Sequence, residues 1–545
     1  MHIVRVLRVG GNSMKSKKLM SITPTILFAV LALPMCVAAQ SDPAKIPKHH
    51  HYKLIDMGTL GGANSYLNFQ SNPLNDSGVV VGESQTIVPF PPNANFVPCG
   101  IGPNVAHAFE WKKGVRTDLG ALDPSDENCS NVANVNDRGE IAGYAENGVL
   151  DPQTGMTEIR AVLWKNGEIT DLGTFGGNES GANAINNRGQ IAGVALNAIP
   201  DPYSLVDLIL GSTNGTQSRA FLWENGRMLD LGTLGGNDAW ASGINARGQV
   251  VGFSHTSMSV NPPITTFPCA SPSGAPTVDP FLWENGEIVD LGTLGGTCGA
   301  PFFLNNHGQV VGYSNLAGDQ ITDVFFWDQG KLTDLSTPQP VGTLIFANWL
   351  DDSGEVVGGL SAPAGVTGGA ALWRNGVLTN LGALQGDCGS EAWTTNKGIV
   401  GGVSVSCDGS LWRAFLWENG SMVDLNALVS PNPALQLIYA IGINDRGEIA
   451  GTGVLPGVST APPDQDTLSH AFLLIPCDAN HPNIEGCNYS LVDENVTAPG
   501  SAMPTTQRAT NAEPVLPPDA IRQLIHSAGR RSKPWYRGLG AQTPK

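Results

Sequence analysis

The residues DLGTLGGNDAWASGINARGQVVGFS (230–254) return with few changes at 171–195, DLGTFGGNESGANAINNRGQIAGVA, and at 290–314, DLGTLGGTCGAPFFLNNHGQVVGYS. A chain that repeats one stretch at a fixed period must stack copies of one small unit, because no single copy can bury its own apolar face. Each copy divides into four short strands. In the unit beginning at Met228, MLDLG is an alternating strand (b), GTLGGNDA a glycine-rich crossing, WASGIN a second strand (c), NARG a turn and QVVGFS a third strand (d). After an insertion of variable length comes PFLWENG, strand a, which ends in Asn285-Gly286, the strongest short hairpin signal.

The c–d turn occurs eight times. It reads LNDSGVVVG (74–82), VNDRGEIAG (135–143), INNRGQIAG (185–193), INARGQVVG (244–252), LNNHGQVVG (304–312), LDDSGEVVG (350–358), a degraded TNKGIVGG (395–402) and INDRGEIAG (443–451). Strand a is anchored by Trp111, Trp164, Trp223, Trp283, Trp327, Trp373 and Trp417, with Leu474 in the eighth place. Four short antiparallel strands per unit, without a helical stretch, predict a β-propeller blade. The expected fold is therefore all-β: a single β-propeller of eight four-stranded blades over residues 52–476, with seven blades as the alternative. A ring also removes the terminal edges that an open stack would have to cap. YKLID (52–56) is a strand b with no strand a before it, so it is expected to close the ring beside HAFLLI (470–475); YSLVD (489–493) competes for that place.

The stretches DLGTLGG, IN-x-x-G-Q followed by two apolar residues and Gly, and HAFLW-x-x-G resemble the HAF repeat of extracellular bacterial proteins, with HAFEW (107–111) and HAFLL (470–474) carrying its name. The resemblance covers roughly residues 52–476. It implies an exported repeat protein of no established activity, and it supplies no catalytic residues.

Charge is unevenly placed. Residues 1–39 hold five lysines and arginines and no acid, whereas residues 40–495 hold 18 basic against 46 acidic residues, a net of −28. Such a body repels phosphate backbones, which argues against nucleic acid as a partner. MKSKK (14–18), the apolar ILFAVLAL (26–33) and VAA (37–39) compose a signal peptide expected to be cut after Ala39. The apolar run is too short to span a bilayer. LPMC would make Cys36 a lipidation site, but Met35 stands where a small residue is usual. Residues 40–51 read as a linker, 477–495 as a disulfide-closed loop with an extra strand, and 496–545 as a Pro-, Thr- and Ala-rich disordered tail with a basic end. A secreted or cell-envelope monomer is expected.

Eight cysteines remain after the signal, with no C-x-x-C, so disulfides are favoured over metal or redox sites. The repeat register pairs Cys99 with Cys129, Cys269 with Cys298, Cys388 with Cys407 and Cys477 with Cys487. Motifs for chemistry are lacking: there is no G-x-S-x-G, H-E-x-x-H, Walker loop or dinucleotide fingerprint. NDRGE (136–140, 444–448) lacks the alternate oxygens of a calcium loop and stands where a turn is needed. HHHY (49–52) could take a transition metal but reads as solvated linker. No cofactor and no catalytic residue is assigned. The expected function is a binding or scaffold module for glycan, peptide or partner protein, with a propeller-type polysaccharide hydrolase or lyase as the alternative. The candidate ligand residues are Trp240, Phe303, Trp349 and Trp393, all in or just before strand c. Trp349 and Trp393, two residues before the turn position, with Phe303 in the blade before, are expected to form an arc by the channel, or else to pack between blades.

Overall fold

A computed structural model describes residues 48–493 apart from 69–71, 95–102, 126, 153, 206–214, 265–268, 270, 362–367, 432 and 462–467. The expected signal peptide with Cys36, most of the linker, Cys99, and the tail with Trp535 lie outside the described residues. The strands assemble as eight four-stranded antiparallel blades, each ordered c–d–a–b from the inside outward. Blade I comprises Ser65–Tyr66, Val80–Pro89, Asn104–Lys112 and Val115–Asp118; blade VIII comprises Gln436–Ile443, Ile449–Val454, Ser469–Pro476 and, from the other end of the chain, Tyr52–Asp56. The protein is an eight-bladed β-propeller, not a seven-bladed one. Blades IV and V share one further parallel bridge, Val278 to Cys298.

Local chemistry repeats with the blades. In every unit the Asp or Asn of the DLG-type stretch ending strand b accepts a hydrogen bond from the backbone N–H two residues on. Examples are Gly232 N to Asp230 (2.9 Å) and Gly292 N to Asp290 (2.7 Å). This turns the chain inward toward the next blade. Within the crossing Gly235 has φ 104°, and a Cβ on Gly236 would sit 2.5 Å from the Cβ of His255, so both glycines are required by backbone geometry. The crossings are tight passages between sheets.

The ring closes as Tyr52–Asp56 pairs antiparallel with Ser469–Pro476, from Tyr52 opposite Pro476 to Asp56 opposite Phe472. The competing segment does something else: Leu491–Asp493 pairs with Lys48–His50 in a two-stranded clasp. The histidine run is therefore not a solvated linker. His49 is fully buried, with Nδ1 2.8 Å from Glu418 Oε1 in the neighbouring blade. Three disulfides join Cys269 to Cys298, Cys388 to Cys407 and Cys477 to Cys487, at Cα separations of 6.0, 4.7 and 5.4 Å. Cys129 is fully buried; its expected partner Cys99 lies outside the described residues. Between blades the core holds the anchors Trp111, Trp164, Trp283 and Trp373 with the phenylalanine of strand a in six blades and Val162 and Ala371 in blades II and VI, all less than a tenth exposed. Among the described residues no helix is long and apolar enough to cross a membrane.

Candidate functional site

The c–d turns and a–b hairpins lie at one end of the ring, the crossings and d–a insertions at the other. At the first end the inner strands enclose a cavity of about 520 Å³, lined by residues of the eight c–d turns. The repeated turn asparagine builds its wall. Asn186 Oδ1 accepts from the N–H groups of Arg188 (2.9 Å) and Gln190 (3.1 Å) within its own turn. Its Nδ2 donates to Gln190 Oε1 (2.8 Å) and to the carbonyl of Asn245 in the next blade (2.9 Å). All four hydrogen-bonding sites of a buried amide are thus used.

The same link runs from Asn75 to Asn136, Asn136 to Asn186, Asn245 to Asn305, Asn305 to Asp351, and Asn444 back to Asn75 across the closure, at 2.8–3.0 Å. After blade VII it is replaced by a bond from Asn396 Nδ2 to the carbonyl of Ile443 (3.2 Å), and after blade VI it is broken. There Asp351 accepts from Ser353 and Glu355 N–H (2.9 Å each) but has no amide hydrogen to hand on.

The residue after the turn asparagine or aspartate forms an outer rim, polar at Asp76, Asp137, Asn187, Asn306, Asp352 and Asp445 and apolar at Ala246. These side chains cap one another, as in Asp137 N to Asn187 Oδ1 (2.9 Å) and Asn306 Nδ2 to Asp352 Oδ2 (2.8 Å). Burial raises the pKa of Asp76, and the carboxylates of Asp137 and Asp445 on either side add to it. Asp445 is held low, chiefly by its hydrogen bond from Lys397. The cavity wall is thus a belt of amides and carboxylates, rich in acceptors for hydroxyl or ammonium groups.

The four candidate aromatics do not form one surface. Trp240 is buried, stacked on Phe253 with centroids 6.1 Å apart. Trp393 is 1% exposed, in a core with Trp412 and Tyr439. Phe303 is buried against Trp349 at 5.5 Å, and Trp349, half-buried, lines the cavity. Trp349 and Trp393 do not hold the same place, because the degraded turn of blade VII is one residue shorter. Trp349 pairs with Val357 after the strand's bulge, and the residue equivalent to it is Thr394, which pairs with Gly401. Trp393 falls on the bulge and turns between blades. Phe303, opposite Val311, is the true counterpart of Trp349.

A second pattern lies two residues before the phenylalanine of strand a. His107 Nδ1 reaches Asp118 at 3.0 Å, Arg219 Nε reaches Asp230 at 2.8 Å, Arg413 reaches Asp424 at 3.2 Å, and His470 reaches Asp56 at 2.9 Å. This pairing explains the H/R-A-F signature. Burial opposes ionisation of Asp118, but the hydrogen bond and charge of His107 outweigh it and hold the carboxyl below its usual range. Blades IV and V invert the rule, with Asp279 facing Asp290 and Asp323 facing Asp334. Burial and then the Asp290 charge push Asp279 up to about 6, and Asp323 is raised for the same two reasons. Sequence reading missed this, although DPF and DVFF stand in plain register with HAF and RAF.

The folded chain keeps a proton on Asp279 up to about pH 6, whereas an unfolded aspartate releases it near pH 4. This contribution to stability is therefore present below about pH 4 and lost as pH rises to about 6. Asp279→Asn should leave stability unchanged near pH 4 and raise it at pH 8 by about 1 kcal/mol, once solvent screening is allowed for, with a higher melting temperature. Thermal denaturation at both pH values checks this; equal effects would remove the like-charge pair as a source of strain.

No family model matches the chain, and no curated protein does. Among solved structures it is similar to the acylaminoacyl peptidase of Pyrococcus horikoshii, at 10% identity and a TM-score of 0.35 over 72% of this chain and 58% of that one. The chain thus spans well under two thirds of that peptidase. It is also similar to the β-propeller domain of the trilobed protease from Pyrococcus furiosus (10% identity, TM-score 0.33, 67% of this chain and 97% of that one). A third likeness is to a PL25 ulvan lyase (8% identity, TM-score 0.33, 77% and 95%). At these scores the eight-bladed architecture rests on the strand pairing of this chain itself.

Proposed function

We propose that the protein is an exported binding module that holds a carbohydrate at the mouth of its channel. The observation that carries this is the lining of one cavity by the Trp349 ring together with the amides and carboxylates of Asn306 and Asp352. An aromatic face beside planar acceptors and donors suits a sugar, whose ring presents C–H groups on one side and hydroxyls at its edge. Export, and kinship with the HAF-repeat proteins, belong to the same proposal. The three disulfides support export, since such bonds persist outside the reducing cytosol.

The test is a glycan-array screen of residues 40–545 followed by calorimetry on the best ligand. Trp349→Ala should weaken binding at least tenfold, about 1.4 kcal/mol, and Asp352→Ala similarly, with the eight-bladed fold retained in both. Retained affinity in both variants would place the ligand elsewhere. Turnover of a polysaccharide in the same samples would favour the hydrolase or lyase alternative.

A further inference from the structure

The opposite end of the ring is asymmetric. Strand d runs ten residues in each of blades I–IV, ending at Pro89, Leu150, Pro200 and Ser259. In blades V–VIII it runs seven, six, eight and six. The four long strands extend past the crossings as a half-collar.

The tips of this half-collar share one construction. The seventh residue of each long strand, Thr86, Asn147, Asn197 or Thr256, accepts with its side chain from the backbone N–H two residues on. The distances are 3.1 Å to Val88, 2.9 Å to Val149, 2.8 Å to Ile199 and 3.0 Å to Met258. The turn so formed points apolar side chains outward. Ile87, Val149, Leu150, Ile199 and Met258 are between 52% and 76% exposed.

Basic charge is withdrawn from the same region. The described residues 86–94, 147–152, 197–205 and 256–264 contain no lysine, arginine, histidine or glutamate, and the nearest acid at a tip is Asp123, which lies against Gly148. Asp151 and Asp201 are buried at the bases of their tips, where Asp151 accepts from Asn178 Nδ2 (3.2 Å) and Asp201 from Tyr203 N–H (2.7 Å). Small apolar clusters (Ala94, Val105 and Cys129; Val260, Ile264, Ala275 and Cys298) and the Cys269–Cys298 disulfide pack the described residues at the foot of two tips.

We propose that these tips are a docking edge for an electrically neutral lipid surface. Three features select that occupant. The apolar groups protrude from turns rather than line a groove, so they can enter the interfacial layer of a bilayer. The tip amides named above are already bonded within the chain, and a medium without water demands that. The absence of basic residues, on a body of net charge −28, fits zwitterionic lipid and opposes anionic lipid. The edge lies at the end opposite the carbohydrate cavity, so docking would leave that mouth facing away from the lipid.

Co-flotation of residues 40–545 with phosphatidylcholine vesicles tests this. The protein should float with the vesicles, and adding phosphatidylglycerol at low salt should reduce the bound fraction. The double variant Ile87→Asp, Ile199→Asp should lower partitioning at least tenfold with the melting temperature unchanged. Val115→Asp, at an exposed apolar position at the other end of blade I, should float as the parent does. Failure of the parent to float, or equal flotation of the double variant, would overturn the proposal. So would a dimer in vesicle-free buffer that the double variant abolishes, since the tips would then serve contact between copies of the chain.

Discussion

A chain that begins at residue 58 should lose its single cooperative unfolding transition. Without Tyr52–Asp56, blade VIII keeps three strands and exposes the outer edge of Ser469–Pro476. Blade VIII then ends on an unpaired strand a, where the other seven blades end on strand b. Tyr52 and Met57 are both less than a tenth exposed, and Leu54 and Ile55 are half-buried. Their removal forfeits roughly 5–8 kcal/mol of apolar burial, comparable to the whole stability of an ordinary domain.

The strand is needed for its place in blade VIII, not its position in the chain. Appending residues 52–57 after Pro476 through an Asn-Gly turn, the hairpin other blades use at Asn285-Gly286, should restore the transition. Calorimetry and near-ultraviolet circular dichroism of the two chains decide the matter. A truncated chain that melts like the parent would show that closure is not made by this strand.

The second large effect concerns the turn amides. Asn186→Ala removes a buried side chain that satisfies four partners, three in its own turn and one in the turn of the next blade. Leaving the Arg188 and Gln190 N–H groups without their acceptor, and the Asn245 carbonyl with the Gly248 N–H alone, should cost about 2–3 kcal/mol. The opposite change is instructive. Asp351→Asn would supply the missing amide hydrogens, one to Glu355 as Asn136 gives Glu140 at 2.7 Å, and one toward blade VII. A gain of about 1 kcal/mol is expected. Chemical denaturation of both variants reads the two signs; destabilisation by Asp351→Asn would mean that the break after blade VI is required by its surroundings.

Much of this protein was legible in the sequence because its information is local and repeated. Asn285-Gly286, with φ of 54° and 90°, makes the hairpin its residue types require. The count of eight followed from eight turns; the partner of Cys269 followed from its place in the register, that of Cys388 from the open end of one hairpin, and that of Cys477 as the remaining local pair. Whether 52–56 or 489–493 closes the ring was decided by packing between ends more than 400 residues apart, and both segments found partners.

The orientation of the aromatics was likewise beyond counting. Inner strands carry a bulge, between Ala347 and Trp349 in blade VI and between Ala392 and Thr394 in blade VII, and a bulge reverses the side to which every later residue points. Combined with a turn one residue shorter, it buries Trp393 while Trp349 reaches the cavity. Sequence supplied the repeating unit, because strand, turn and hairpin propensities act over a few residues. Only the closed ring decided which side chains meet across blades, because that depends on register shifts no short segment contains.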